Sequence, residues 1–107
     1  MPTPETPEQV RRWFLVQVRA LWPMAGGSVS LRKSPCVRPG CAACASGEQH
    51  ASYALYARRR GRRVVRYVPD VIAAELQRAV RNGRTLHELL VEAGERYLRA
   101  LKAQRRA

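Results

Sequence analysis

The sequence predicts an α+β fold, in which a small three-stranded antiparallel sheet lies between an N-terminal helix and two C-terminal helices. Three observations support this class. Apolar residues recur at helical spacing near both ends, polar and apolar residues alternate in the middle, and prolines and glycines separate these regions. With 107 residues, the chain is expected to form a single domain, frayed at residues 1–6 and 105–107.

The first helix is predicted from about Pro7 to Trp22. Thr6 can cap it, Pro7 suits the first helical position, and Gln9 can complete a capping box. Its apolar positions follow the helical period and comprise Val10, Phe14, Val18 and Leu21, joined by Trp13 and Trp22.

Three strands are predicted next. Residues 28–32 alternate polar and apolar side chains, which is the period of a half-buried strand. Residues 53–58 and 62–68 then form a hairpin, because Gly61 fits the left-handed position of a three-residue loop, 59–61, with a bulge. That register pairs Arg58 with Arg62, Tyr56 with Val64 and Ala54 with Arg66 on one face, which is basic and contains an aromatic residue. The other face is predicted to be largely apolar, with Tyr53, Leu55, Ala57, Val65 and Tyr67.

Two C-terminal helices follow Pro69. The first is predicted over 70–81 with Asn82-Gly83 as its stop, and the second runs from about Leu86 to Gln104 after a capping box that begins at Thr85. The apolar stripe of the second helix either packs in the core or forms a homodimer seam through this helix; it comprises Leu86, Leu90, Ala93, Tyr97 and Leu101.

Every cysteine of the chain lies in the segment between the first two strands. Cys36, Cys41, Cys44 and then His50 have the spacing Cys-x4-Cys-x2-Cys-x5-His. Four soft or borderline ligands can close a tetrahedron, and a closed Cys3His set leaves no position for a reactive water. The sequence therefore predicts a zinc-binding loop in which Zn²⁺ is a structural cofactor that offsets the entropy of ordering a Pro/Gly-rich segment.

Other interpretations of this cluster stay open. A disulfide framework is disfavoured by the odd number of cysteines and by the lack of an export signal. An iron–sulfur cluster has a similar opening spacing but requires a fourth cysteine. The plainest alternative is three unrelated small buried thiols and a surface histidine that bind no common metal ion.

The charge of the chain indicates a polyanionic partner. The formal net charge is +12, and residues 52–69 contain six arginines and no acidic residue. A two-stranded ribbon can enter a major groove, and its arginines can follow the phosphates of DNA or RNA, with Tyr56 as a stacking residue. A charged strand edge that prevents aggregation is the alternative. The predicted nucleic-acid-binding residues are Arg32, Lys33, Arg38, Tyr56, Arg58, Arg59, Arg60, Arg62, Arg63 and Arg66.

Several landmarks resemble a family of short basic bacterial proteins of unknown function that are often found beside transposases and other mobile elements. They are Gly27-Ser28-Val29-Ser30-Leu31-Arg32, Cys36-Val37-Arg38-Pro39-Gly40-Cys41, His50, the segment 53–56 and Arg66-Tyr67-Val68-Pro69. The likeness covers about residues 27–105. The chain departs from the family pattern in having two residues between Cys41 and Cys44 instead of one, and Ala51-Ser52 instead of Gly-Pro after His50. The resemblance implies a metal loop and a mobile-element setting, and no activity.

Three functions are compatible with these observations. The first is a nucleic-acid-binding accessory protein of a mobile element or nucleoprotein complex. The second is an interaction subunit or inhibitor that docks on a nucleic-acid-processing enzyme. A metal-dependent nuclease is the weakest, because no acidic cluster accompanies the cysteines, and the chain is predicted not to be an enzyme. No apolar run could span a membrane and residues 1–9 do not resemble a secretory signal, so a cytoplasmic location is expected.

Overall fold

The computed structural model describes residues 3–34 and 50–106. The elements are helix α1 (Pro7–Arg19), strands β1 (Ser28–Ser34), β2 (His50–Arg59) and β3 (Arg62–Val68), and helix α2 (Asp70–Arg106). The α+β class, the N-terminal helix and the three-stranded antiparallel sheet are therefore confirmed. No helix within the described residues is long and apolar enough to cross a membrane.

The chain forms two compact units. The sheet unit is Ala25–Val80, and the helical unit combines Met1–Met24 with Arg81–Ala107. Within the described residues, the buried side chains are few and mostly small: Val10 and Ala100 in the helical unit, and Ala54, Val68, Ala73, Ala79 and Val80 in the sheet unit. Each unit therefore gains limited stability from apolar burial. Hydrogen bonds, and in the helical unit salt bridges, account for a larger share of its stability.

Helix α1 begins as its sequence predicts. The Gln9 backbone N–H donates to Thr6 Oγ1 at 3.1 Å, and the Thr6 N–H donates to Gln9 Oε1 at 2.9 Å. This reciprocal pair satisfies two N–H groups that the helix start would otherwise leave without partners. The helix ends at Arg19, with Ala20 as its C-cap, three residues before the predicted end.

Helix α2 corrects the prediction of two C-terminal helices. It runs through Asn82 and Gly83 without a break. Asn82 is used in a tertiary contact, since its side-chain amide donates to the Pro23 carbonyl at 2.9 Å. Thr85 caps nothing, because its hydroxyl donates back to the Arg81 carbonyl at 3.4 Å within the same helix. An interior glycine costs a helix only about 1 kcal/mol, so Gly83 alone does not end it.

The sheet has the order β1-β2-β3, and both pairs are antiparallel. Gly27 precedes β1 with a φ of 105°, and a Cβ at this position would collide with the Tyr56 carbonyl oxygen on β2. Only glycine fits both the backbone angle and this close approach of two strands. The N–H of Ala25 donates to the Ala79 carbonyl at 2.9 Å, which ties the segment before β1 to α2.

The register of the hairpin also differs from the prediction. Arg59 pairs with Arg62, so the turn contains two residues, Arg60 and Gly61, and no bulge. Both have positive φ, 54° and 79°, as a type I′ turn requires, and this turn matches the twist of the two strands. The pairing is displaced by one residue from the expected one, which transfers side chains of β3 to the other face of the sheet.

Candidate nucleic-acid interface

Paired residues of neighbouring strands share a face, so the register assigns every side chain of the sheet to one of two faces. We call one the tyrosine face; its described side chains are Ser28, Ser30, Arg32, Ser52, Ala54, Tyr56, Arg58, Arg63, Val65 and Tyr67. We call the other the aliphatic face; its described side chains are Val29, Leu31, Tyr53, Leu55, Ala57, Arg59, Arg62, Val64, Arg66 and Val68.

Tyr56 lies at the centre of the tyrosine face, on the middle strand. Arg32, from β1, donates from Nη1 to the Tyr56 hydroxyl at 3.1 Å. Arg63, from β3, places its guanidinium carbon 5.8 Å from the centre of the Tyr56 ring, within the range of a cation–π contact. Cations from both neighbouring strands thus contact Tyr56, one at its hydroxyl and one over its ring, and the residue is half-buried.

Tyr67 shares this face, although the sequence pattern predicted it on the apolar one. It pairs with Ala54 on β2, and it is 68% exposed. The signal that reveals it is the turn: with two residues between the strands instead of three, Tyr67 moves to the side of Tyr56. The face therefore presents two tyrosines where the sequence predicted one.

The same correction redistributes the arginines of the hairpin. Arg62 and Arg66 were expected beside Tyr56, but they lie on the aliphatic face, where Arg66 pairs with Leu55. Arg58 pairs with Arg63, on the tyrosine face, and not with Arg62. Both faces of the hairpin are consequently basic at the end near the turn.

The turn itself forms a cationic tip. Arg59, Arg60 and Arg62 line an open concavity of about 650 Å³. Arg58 donates from Nη1 to the Gly61 carbonyl at 3.4 Å, which leaves its other N–H groups available. All the carboxylate–guanidinium salt bridges found in the described part of the chain lie in the helical unit. The six hairpin arginines therefore have no ion-pair partner among those residues.

The predicted metal ligands Cys36, Cys41 and Cys44 lie outside the described residues, as does Arg38. His50 is the first residue of β2, and its backbone pairs with Ser34, the last residue of β1. The chain therefore leaves and rejoins the sheet at one paired position, which closes segment 35–49 at its base. Lys33 is the neighbouring position and pairs with Ala51.

Elsewhere, residues 3–34 and 50–106 contain no group of three His, Cys, Asp or Glu side chains able to hold a metal ion. The metal prediction thus depends on segment 36–50 alone. Compared with protein-family models, curated proteins and solved structures, the chain shows no match. Its function must be argued from the residues themselves.

Proposed function

We propose that this protein is a non-enzymatic nucleic-acid-binding accessory protein that meets DNA or RNA with its arginine hairpin. The observation that carries the proposal is the hairpin: six arginines on β2, β3 and their turn, without an ion-pair partner among the described residues. A planar guanidinium binds phosphate oxygens in pairs, and each phosphate neutralised in this way releases counterions from the polymer.

Protection of a strand edge explains this pattern less well. In the order β1-β2-β3, the strand β2 is central, so Arg58 and Arg59 protect no edge. Edge protection also commonly uses lysine, and the hairpin contains none. Charges on a central strand and at the tip are better accounted for by an anionic partner.

The second part of the proposal is a structural zinc ion held by Cys36, Cys41, Cys44 and His50. The donor set of three thiolates and one imidazole suits tetrahedral Zn²⁺, and the pairing of Ser34 with His50 closes the segment that carries the ligands. Bound zinc supplies folding free energy in a unit whose buried side chains are small. The resemblance of this segment to proteins found beside transposases favours a function in a mobile element or a related nucleoprotein complex.

The test is binding to plain DNA and RNA over a range of salt concentrations. Replacing Arg58, Arg62 and Arg66 together by alanine is expected to weaken binding by about tenfold for each phosphate that the hairpin no longer holds. On duplex DNA, the slope of log affinity against log salt falls by about 0.9 for each such phosphate.

The matched control replaces Arg11, Arg12 and Arg19 by alanine, because it removes the same charge from exposed positions of α1 in the helical unit. An equal loss of affinity in both triple variants would refute an interface at the hairpin. Absence of salt-dependent binding by the wild-type protein would refute the function.

A second candidate function is docking on a nucleic-acid-processing enzyme. A mostly apolar groove of about 420 Å³ lies between α1 and α2 in the helical unit and is lined by Val10, Phe14, Leu90 and Tyr97 among others. Several apolar side chains of α2 are exposed, including Leu98 at 52% and Tyr97 at 49%. Exposed apolar surface of this kind favours a protein partner or a second copy of the chain. Indifference to nucleic acid, together with tight binding to such an enzyme, would favour this function over the first.

A further inference from the structure

We infer that the tyrosine face binds single-stranded nucleic acid, with unpaired bases stacked on Tyr67 and Tyr56. This inference rests on the proposed function and specifies its substrate. The arginines alone would attract any nucleic acid, duplex or single-stranded, since their partner is the phosphate backbone. The tyrosines add a requirement for accessible bases.

The first supporting observation is the exposure of Tyr67. A residue that is 68% exposed on a strand contributes little to the core, and Tyr67 lies on the face that also carries Arg32, Arg58 and Arg63. Aromatic rings beside cations on a sheet surface are the arrangement by which sheet-based RNA-binding modules stack bases.

The second observation is the spacing of the two rings. Tyr67 pairs with Ala54, which is two positions from Tyr56 along β2, so the tyrosines are diagonal neighbours on adjacent strands. The Cα atoms of diagonal neighbours are about 7–8 Å apart. Successive bases of one strand in a stacked duplex are separated by a rise of only about 3.4 Å. Two bases can occupy these rings only if they are separated from each other, which an intact duplex does not allow.

The third observation concerns the surroundings of the rings. The remaining positions of this face on β1 and β2 are small, namely Ser28, Ser30, Ser52 and Ala54. Small side chains leave the flat side of a base room to approach the sheet. The hydroxyl of Tyr56 already accepts a hydrogen bond from Arg32, so this ring is positioned before a base arrives, while the cations on the same face supply contacts for phosphates.

The aliphatic face lacks this combination. It also carries arginines, but Tyr53 is the one aromatic residue among its described side chains, and no exposed second ring comparable to Tyr67 accompanies it. Stacking is therefore assigned to the tyrosine face, and the arginines of the tip and the aliphatic face are left with backbone contacts.

The experiment measures the affinity of the full chain for a short single-stranded oligonucleotide, for the matching duplex and for an abasic strand of equal length, at physiological ionic strength. Tyr67→Leu keeps an apolar side chain and removes the ring. It is expected to weaken single-strand binding by a factor of about 5 to 150, the range for removal of one base stack, and to change duplex binding less than about twofold. Tyr67→Phe retains the ring and is expected to bind like the wild type.

The abasic strand makes the test independent of the variants. It carries the phosphates without bases, so both stacks are lost and the wild-type protein is expected to bind it at least as weakly as Tyr67→Leu binds the normal strand. Tyr97→Leu, at an exposed tyrosine of the helical unit, is the matched control and is expected to have no effect.

The outcomes separate the two proposals. Equal wild-type affinity for the abasic and the normal strand, or an equal loss on single strand and duplex in Tyr67→Leu, overturns the stacking inference and leaves the arginine interface standing. No salt-dependent binding to any of the three polymers overturns the proposed function itself.

Discussion

The two units of the molecule use arginine in opposite ways. In the helical unit, the Arg96 guanidinium lies 3.9 Å from the centre of the Trp13 ring. It donates from Nε to Glu5 Oε1 at 3.0 Å, from Nη2 to Glu5 Oε2, and from Nη1 to Glu92 at 3.2 Å. In the sheet unit, Arg63 lies over Tyr56 at 5.8 Å, exposed and without a carboxylate partner among the described residues.

The difference comes from where the acids are, not from how many arginines each unit has. The sheet unit has ten Lys and Arg residues against three Asp and Glu, and the helical unit has ten against five. The described strands contain no acid at all. Arg96, whose donors are taken by carboxylates, ties helix α2 to the segment before α1, whereas an arginine without a carboxylate partner can bind an anion.

The largest expected effect concerns the zinc site that we propose for the sheet unit. Cys44→Ser removes one of four predicted zinc ligands, and the loss of bound metal is expected to cost at least about 3 kcal/mol of unfolding free energy. For a chain of this size that lowers Tm by at least about 12 °C. Elemental analysis and thermal melting of the purified variant check both effects together.

The neighbouring variant Ser46→Ala removes no ligand and serves as the control for Cys44→Ser. Wild-type protein that contains no metal and melts at the same temperature as Cys44→Ser would contradict the zinc site.

The next effect concerns the start of β1. Gly27→Ala forces an alanine to a φ of 105° and brings its Cβ against the Tyr56 carbonyl and within 2.9 Å of the Ala57 Cβ. We expect the free energy of unfolding to fall by about 2 kcal/mol or more. Nucleic-acid binding is expected to weaken as well, because the strand that carries Arg32 must shift. Denaturant unfolding and the single-strand binding assay measure the two quantities.

Gly26→Ala is the matched control, because a Cβ there meets no atom within 4 Å. Its stability is expected to stay within about 0.5 kcal/mol of the wild type. A similar loss of stability in both glycine variants would show that the close approach of Gly27 to β2 does not cause the destabilisation of Gly27→Ala.

The smallest effect concerns the helical unit. The hydrogen bond from Arg96 holds the pKa of the Glu5 carboxyl below its ordinary value of 4.5, and hydrogen bonds from Arg96 to Glu5 and Glu92 raise the pKa of the guanidinium. Because folding lowers the pKa of Glu5, this carboxylate stabilises the fold above pH 4.5, and the stabilisation is lost as the pH falls toward the folded value. Glu5→Gln is expected to lower Tm at neutral pH and to leave nucleic-acid binding unchanged.

Melting curves from neutral to acid pH check this prediction. The Tm difference between the wild type and Glu5→Gln should shrink below pH 4.5, where the wild-type carboxyl becomes protonated. Glu88→Gln, at an exposed position of α2, is the control. A loss of nucleic-acid affinity in Glu5→Gln alone would break the division of roles between the two units.

Local signals in the sequence predict the elements that depend on adjacent residues. The capping box of Thr6 and Gln9 places the start of α1, and Gly61 and Pro69 mark the bounds of β3, Arg62–Val68. Asn82-Gly83 is misleading, because the dipeptide is typical of a helix end, and nothing local announces that the Asn82 amide donates to the Pro23 carbonyl. The hairpin is predictable, but Arg60 is an uncommon first residue for a type I′ turn, so the expected loop is one residue too long.

Residue order alone determines the composition of the proposed interface: a cluster of arginines without acids, tyrosines in the adjoining strands and a Cys/His set in the preceding segment. Which of the strand residues share a face follows only from the folded sheet. The reason is the two-residue period of a strand, which makes the side of the sheet depend on register, and register depends on the turn at Arg60-Gly61 and on pairing with β1. Residue types are a property of the chain, whereas Tyr67 beside Tyr56 is a property of the fold.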